Sequence, residues 1–262
     1  AAVAPAAPPP PHAATRRPAA ARGPTETALP SPAGETWRVR TNSPQSAVPF
    51  CGHATIALRA AQAAAHGEAL YRQVLHAPEI TVEGSTAGNA MTAALQSPPT
   101  HSQPLDDSAI GAVLECFGYH RADLDTSIPP ARVHGGADHF ALALNSRAAL
   151  GAMHYSLEQG RELMDRAGLI TILFAWAERP QLFHTRNPFA SGGVYEDPAT
   201  GAATAAFAGY LRDIGWPHRG SIDIIQGEDM GMRSRLHAEI PDPPGSSIRV
   251  SGSARYLEGP TG

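Results

Sequence analysis

The sequence predicts an α+β protein of two related halves that share one cleft, and two stretches of it carry this prediction. Residues 187–211 hold a turn-rich loop with two acidic side chains, followed by an apolar segment without charge until Arg212. Residues 49–67 repeat this design, because a loop with Pro, Gly and a histidine precedes an Ala-rich segment. A helix that is apolar on every face is usually buried, so each half is expected to contain one core helix.

The N-terminal ends of these two helices are the expected functional site. Unpaired backbone N–H groups and partial positive charge at a helix N-terminus favour an anionic ligand. Asp197 lies in the loop before the second helix, and His53 lies in the loop before the first. Carboxyl and imidazole groups beside a bound anion are suited to proton transfer near neutral pH.

Composition excludes several classes of protein. The chain has 262 residues, enough for one large domain or two smaller ones. Charged residues make up 17% of it and the formal net charge is −4, so nucleic-acid binding is not expected. Its two cysteines, Cys51 and Cys116, imply no disulfide framework and favour a reducing, cytoplasmic location. The longest uncharged apolar run, residues 169–177, is too short to cross a bilayer.

The first half begins with residues 1–24, whose Ala, Pro and Arg content is typical of disorder or polyproline. Hydrophobic patterning then predicts the strands, helices and loop of the rest of this half. They are strands at residues 37–41, 73–75, 79–83 and 90–96, the first core helix at residues 54–66, a loop at residues 98–104 and an amphipathic helix at residues 106–117.

The second half is expected to follow a connection at residues 118–130. Its predicted strands are residues 140–144, 169–176, 181–186, 221–226, 237–240 and 248–251. Its predicted helices are residues 148–153, residues 157–168 with Gly168 as C-cap, and the second core helix from Gly201 to about Asp213. Residues 187–200 are expected to form a loop before that helix.

Four motifs, in this order, resemble those of the PhzF-like isomerases, a family named for phenazine biosynthesis. They are TETA at residues 25–28, PFCGHAT at residues 49–55, EDPATG at residues 196–201, and QG at residues 226–227 with MG at residues 230–231. The resemblance covers nearly the whole chain. It implies the diaminopimelate-epimerase-like fold, in which two pseudo-symmetric halves each wrap a curved sheet around a central helix, with the active site in the cleft between them.

The resemblance also implies domain bounds. Residues 1–118 would form the N-terminal half together with a returning segment at residues 248–262, and residues 119–247 would form the C-terminal half. Ala2-Val3 resembles the strand that follows the family's first strand, so that first strand is expected to be either cut off from this sequence or absent.

Three side chains are implied to be catalytic. Glu26 falls on the family's catalytic glutamate, which takes a proton from one carbon and returns it to another, and burial would raise its pKa for this task. His53 would stay neutral at a helix N-terminus and hydrogen-bond the substrate. Asp197 would hold a substrate amine or hydroxyl, and its alternative role is to cap the core helix.

Backbone N–H groups at the two helix ends are expected to clamp a substrate carboxylate. They belong to Gly52, Ala54, Thr55, Gly201, Ala202 and Ala203. Ala202 stands where many family members have Ser, so a different substrate, or binding without catalysis, is an open alternative.

The resulting prediction is a cofactor-independent isomerase that moves a proton and a double bond on a small carboxylated metabolite, in antibiotic or phenazine-type secondary metabolism. A non-catalytic binding protein and an epimerase or racemase are the alternatives, although a second thiol opposite Cys51 is lacking.

No metal site is expected, because His134 and His139 would point to opposite faces of a strand. A homodimer without nucleic-acid or membrane partners is expected.

Overall fold

The structure, a computed structural model, describes the backbone of residues 2–3, 27–33, 36–42, 47–48, 71–74, 80–87 and 90–254, and the side chains of residues 92 and 94–253. The predicted first core helix, at residues 54–66, lies outside these residues. So do Glu26 and His53.

Sixteen strands form one mixed sheet in the described part of the chain. They are β1 (Ala2–Val3), β2 (Thr27–Ala33), β3 (Thr36–Asn42), β4 (Ala47–Val48), β5 (Tyr71–Val74), β6 (Ile80–Ala87), β7 (Ala90–Pro99), β8 (His101–Pro104), β9 (Ala131–His134), β10 (Asp138–Ala143), β11 (Thr171–Arg179), β12 (Leu182–Phe189), β13 (Val194–Asp197), β14 (Ser221–Gln226), β15 (Ser234–Glu239) and β16 (Ser247–Ala254). Their order is β1-β2-β3-β5-β6-β7-β16-β15-β14-β12-β11-β10-β9-β8, with β4 beside β3 and β13 beside β12.

Four α-helices and two short 3₁₀ turns lie in the described part of the chain. They are α1 (Asp107–Phe117), α2 (Arg147–Gly151), α3 (Leu157–Ala167) and α4 (Gly201–Asp213), with 3₁₀ turns at Arg121–Asp123 and Ala190–Gly192. Asp106 caps α1 by accepting a 2.7 Å hydrogen bond from the Ala109 N–H. Gly168 ends α3 with φ 66°, which confirms the predicted C-cap. None of the described helices combines the length and apolarity needed to cross a bilayer.

The sheet packs on α4 with one face and on α1 and α3 with the other. Along β10, Ala141 and Ala143 join the cluster around α4, whereas Phe140 and Leu142 join the cluster that contains the apolar side of α1. This alternation follows from the two-residue period of a strand. Every residue of α4 from Gly201 to Arg212 is buried, which confirms the predicted core helix.

Strand β16 joins early and late parts of the chain. It pairs antiparallel with β7 on one side, where Val250 lies opposite Leu95, and with β15 on the other, where Val250 lies opposite Ala238. Ala2 and Val3, within the stretch predicted as disordered, form β1 parallel to β2.

Two predicted loops are wrong in part. Residues 98–104 contain the end of β7 and all of β8, and β8 lies at the edge of the sheet, where proline is tolerated. The predicted loop at residues 187–200 contains the end of β12 and all of β13, which pair antiparallel so that Asn187 lies opposite Asp197. Both errors arose because Pro98, Pro104 and Pro188 indicated loops.

Candidate functional site

Asp197 ends β13, one short loop before α4. Its side chain is only 2% exposed. Its Oδ2 accepts a 2.6 Å hydrogen bond from the Thr200 hydroxyl, which is also buried. The carboxyl group is therefore held in a fixed position at the entrance to the core helix.

Gln226, the last residue of β14, fixes the same loop from the neighbouring strand. Its Oε1 accepts from the Thr200 N–H at 3.0 Å, and its Nε2 donates to the Asp197 carbonyl at 2.6 Å and to Thr200 Oγ1 at 2.9 Å. The sequence motif contains Gln226, but its role depends on a contact between residues far apart in the chain. Sequence reasoning did not assign it.

Gly227 allows the loop before α4 to pack closely against the chain that follows β14. Its φ is 75°, and an added Cβ would lie 2.5 Å from the Met232 carbonyl oxygen and 3.0 Å from the Pro198 carbonyl oxygen. A side chain here would clash with two backbone segments and would adopt a strained conformation. Gln226 thus contacts the loop before α4 through its side chain, and Gly227 packs against the same loop through its backbone.

The N-terminus of α4 follows directly after this loop. The N-cap residue is Thr200 rather than Asp197. No described residue accepts a hydrogen bond from the backbone N–H of Gly201, Ala202 or Ala203. Ala202 is 3% exposed and offers only a methyl group at the position where the resemblance described above implies a serine hydroxyl. These N–H groups, together with Asp197, could hold an anion and a neighbouring polar group.

Glu196 has a different environment from Asp197. Its carboxylate receives hydrogen bonds from Arg186 Nε at 3.1 Å and from Arg186 Nη2 at 2.5 Å, and both side chains are buried. Burial opposes the charge of Arg186, but the hydrogen bonds to Glu196 outweigh it and raise the pKa of the guanidinium. Arg186 Nη1 also donates to the Gly151 and Met153 carbonyls, so this ion pair anchors the end of α2. Sequence reasoning did not find this pair.

A second buried polar group lies on the face of the sheet that packs on α4. His139 Nδ1 lies 2.7 Å from Thr171 Oγ1, and Asn187 Nδ2 lies 3.5 Å from the same oxygen. Burial lowers the pKa of His139 to about 3, so its imidazole is neutral at physiological pH.

Four buried polar atoms on the described side chains have no hydrogen-bond partner: His139 Nε2, Thr185 Oγ1, Asn187 Oδ1 and Thr204 Oγ1. Each such atom costs about 1–3 kcal/mol unless a water or ligand pairs with it. Asn187 is the cross-strand neighbour of Asp197, so its unpaired oxygen lies beside the candidate site.

The structure brings together Asp197, Gly201, Ala202 and Ala203 among the predicted site residues. Glu26, Cys51, Gly52, His53, Ala54 and Thr55 lie outside the described residues. Cys116 lies half-buried on α1, where burial raises the pKa of its thiol. The described part of the predicted site is therefore Asp197 and the first turn of α4, whereas the polar side chains behind it became visible only through strand pairing.

Known proteins share this architecture. The chain is 29% identical to the trans-2,3-dihydro-3-hydroxyanthranilate isomerase of Pseudomonas aeruginosa over 230 residues, 85% of this chain and 78% of the relative. A structure described as a predicted epimerase from Pseudomonas aeruginosa is 23% identical, with a TM-score of 0.83 over 98% of this chain and 93% of that one. A probable proline racemase from Agrobacterium radiobacter is 13% identical, with a TM-score of 0.61 over 92% of this chain and 78% of that one.

These likenesses confirm the predicted α+β, diaminopimelate-epimerase-like fold. They also confirm the isomerase class, since the curated relative is an isomerase. The sequence profile of phenazine biosynthesis-like proteins matches residues 19–259. The chain, with Asp197 and Gln226 at the entrance to its buried helix, therefore belongs to the phenazine biosynthesis-like protein family.

Proposed function

We propose that this protein is a cofactor-independent isomerase that moves a proton, and with it a double bond, within a small carboxylated metabolite. The observation that carries the proposal is the network of Asp197, Thr200 and Gln226, which holds a buried carboxyl group beside the N-terminus of α4. The Pseudomonas aeruginosa relative that isomerises a dihydro-hydroxyanthranilate supports the reaction class.

The substrate carboxylate would bind at the start of α4. The N–H groups of Gly201, Ala202 and Ala203 have no acceptor among the described residues, and the helix dipole favours a negative charge at this position. Gly52, Ala54 and Thr55 would supply matching N–H groups from the first core helix. A carboxylate held at both ends would fix the substrate in one orientation for proton transfer.

The proton would move through Glu26. Its carboxylate takes a proton from one substrate carbon, the double bond shifts, and the protonated carboxyl returns the proton to another carbon, so substrate and product have the same atoms. Asp197 would accept a hydrogen bond from a substrate amine or hydroxyl, and neutral His53 would bind the group on which negative charge develops.

Three wider expectations belong to this proposal. Residues 1–118 with 248–262 would form one half and residues 119–247 the other, with the substrate in the cleft between them. The protein would work as a homodimer in the cytoplasm. Light scattering of the purified chain at micromolar concentration tests the dimer, and a monomeric mass contradicts it.

The reaction is tested in deuterated buffer with trans-2,3-dihydro-3-hydroxyanthranilate and related carboxylates. We expect an isomerised product that gains deuterium at carbon to the extent that the protonated Glu26 carboxyl exchanges with solvent before it returns the proton. Glu26→Gln should lower turnover by roughly 10²–10⁴-fold, the usual contribution of a general acid–base group. The matched control is Glu115→Gln, since Glu115 is exposed on α1, and it should keep wild-type turnover. No label in any product, with no loss in Glu26→Gln, contradicts the proposal.

Ala202 favours a second candidate, a binding protein without catalysis, because its methyl group cannot contact substrate as a hydroxyl would. This candidate predicts that ligand affinity survives Glu26→Gln and that no related metabolite is turned over. An epimerase that uses Cys51 and Asp197 would instead lose its activity in Cys51→Ser.

A further inference from the structure

A row of three metal-ligating side chains crosses the edge of the sheet, on the face opposite α4. His101 of β8 lies opposite His134 of β9, and His134 lies opposite Asp138 of β10. Directly opposed residues in antiparallel strands project from the same face, with Cβ atoms about 4.5–5.5 Å apart. The three side chains are therefore neighbours, although His101 is far from the other two in sequence.

The distances within this row suit one metal ion. The imidazole rings of His101 and His134 are stacked with centroids 4.5 Å apart, and His134 Nδ1 lies 2.6 Å from Asp138 Oδ1. One ligand atom from each residue lies within 4.8 Å of the other two. Ligands of a tetrahedral zinc ion are roughly 3.3 Å apart, given metal–ligand bonds of about 2.0–2.2 Å. His101 is exposed, so its ring is free to turn by the small amount required.

Arg132 supports the carboxylate from behind. Its Nη2 lies 2.7 Å from Asp138 Oδ2, and its Nη1 donates to the Ala167 carbonyl at 3.0 Å. The guanidinium therefore orients the carboxylate while leaving Oδ1 directed at His134. Outer partners of this kind fix metal ligands in place, although the positive charge of Arg132 also weakens the attraction for a cation.

We propose that His101, His134 and Asp138 form a surface site for a divalent transition-metal ion, with Zn²⁺ as the ion their nitrogen and oxygen ligands fit best. The ion replaces the proton shared by His134 and Asp138, and water completes its coordination. The sequence prediction of no metal site considered His134 only with His139, which lies on the other face of the hairpin.

The position of the site indicates a structural role. The ion would tie the edge strand β8 to the hairpin of β9 and β10. Gly135, at the turn of this hairpin, packs so closely on α4 that an added Cβ would lie 2.7 Å from the Ala206 nitrogen. Metal binding would therefore stabilise the contact between the edge of the sheet and the core helix, and it would do so independently of the proposed isomerase reaction.

The test is calorimetric titration of the full, untagged chain with zinc chloride after treatment with a chelator. We expect one equivalent of Zn²⁺ to bind and to raise the melting temperature, because a ligand that binds only the folded state stabilises it. His101→Ala should weaken binding at least as much as the roughly 10–100-fold that loss of an outer-shell partner costs. The matched control is His154→Ala, an exposed histidine outside the row, and it should bind as the wild type does.

The absence of saturable binding in the micromolar range overturns the proposal. Equal binding by the wild type and His101→Ala also overturns it, because the ion would then be held elsewhere. Asp138→Asn gives a second check. It removes the negative charge of one proposed ligand while keeping the shape of the side chain, so weaker Zn²⁺ binding supports the proposal, and wild-type affinity contradicts it.

Discussion

The two ends of α4 differ in how their backbone groups and charges are satisfied. At the C-terminal end, Arg212 is buried and donates to Thr100 Oγ1 at 2.9 Å and to the Ser246 carbonyl at 3.3 Å. Its positive charge also complements the helix dipole. The chain then turns back, with the Trp216 N–H donating to the Leu211 carbonyl at 2.9 Å. This end is built from contacts internal to the protein.

At the N-terminal end, the first turn contains no acidic side chain. The N–H groups of Gly201, Ala202 and Ala203 have no acceptor among the described residues, although all three residues are buried. Hydrogen bonds here fix the loop before the helix rather than the helix donors themselves. Since buried donors without an acceptor lower stability, this end is where we propose that a ligand binds.

The largest expected effect follows from changing the carboxyl group at the N-terminal end. Asp197→Asn keeps the size of the side chain but removes its charge and weakens it as a hydrogen-bond acceptor for a substrate amine or hydroxyl. Turnover of the substrate should fall by roughly 10²-fold, because the substrate is then misplaced for proton transfer. The free energy of unfolding, measured in urea, shows whether a change in stability accompanies this loss, and the amide oxygen can still accept from the Thr200 hydroxyl. Wild-type turnover would remove Asp197 from the proposed mechanism.

The second-largest effect is expected at Gln226, where a substitution should lower both the free energy of unfolding and turnover. Gln226→Leu leaves the buried Thr200 N–H without its acceptor and the Asp197 carbonyl without this donor. The free energy of unfolding should fall by about 1–3 kcal/mol for each buried group left unpaired, and turnover should fall because the loop that carries Asp197 is no longer fixed. Gln159→Leu, on the exposed side of α3, is the control and should change neither quantity by much.

The contrast between the two ends also separates what the sequence could predict from what it could not. The burial of α4 follows from a long run of apolar residues, which is a local property. The cap of α1 at Asp106 and the end of α3 at Gly168 are likewise local. The pattern therefore predicted these elements before any contact was known.

The contacts of Arg186 and Gln226 depend instead on which strands are neighbours. Arg186 meets Glu196 because β12 and β13 form a hairpin, and Gln226 reaches Thr200 because β14 lies beside β12. A one-residue change of register would direct each side chain to the opposite face of the sheet. No local pattern encodes such pairings, so the motif located Gln226 without revealing its partners.

A stability effect without an activity effect is expected at the C-terminal end. Arg212→Met retains the apolar stem but removes the hydrogen bonds to Thr100 and Ser246. The free energy of unfolding should fall by about 1–3 kcal/mol, while turnover per folded molecule at low temperature stays at the wild-type level. Arg166→Met is the matched control, because Arg166 lies in the last turn of α3 and is exposed. A loss of turnover in Arg212→Met would contradict the division of roles between the two ends.

The smallest effect should come from the second turn of α4, where the Thr204 hydroxyl is buried without a hydrogen-bond partner. Thr204→Val keeps the branched shape and a similar helix propensity while removing the hydroxyl. If this oxygen serves no ligand, the free energy of unfolding should rise by up to about 1 kcal/mol, because the folded state no longer buries an unpaired polar group. Turnover should stay unchanged in the same preparation. A fall in turnover with stability maintained would instead show that Thr204 contacts the substrate, and the functional surface of α4 would then extend one turn beyond its N-terminus.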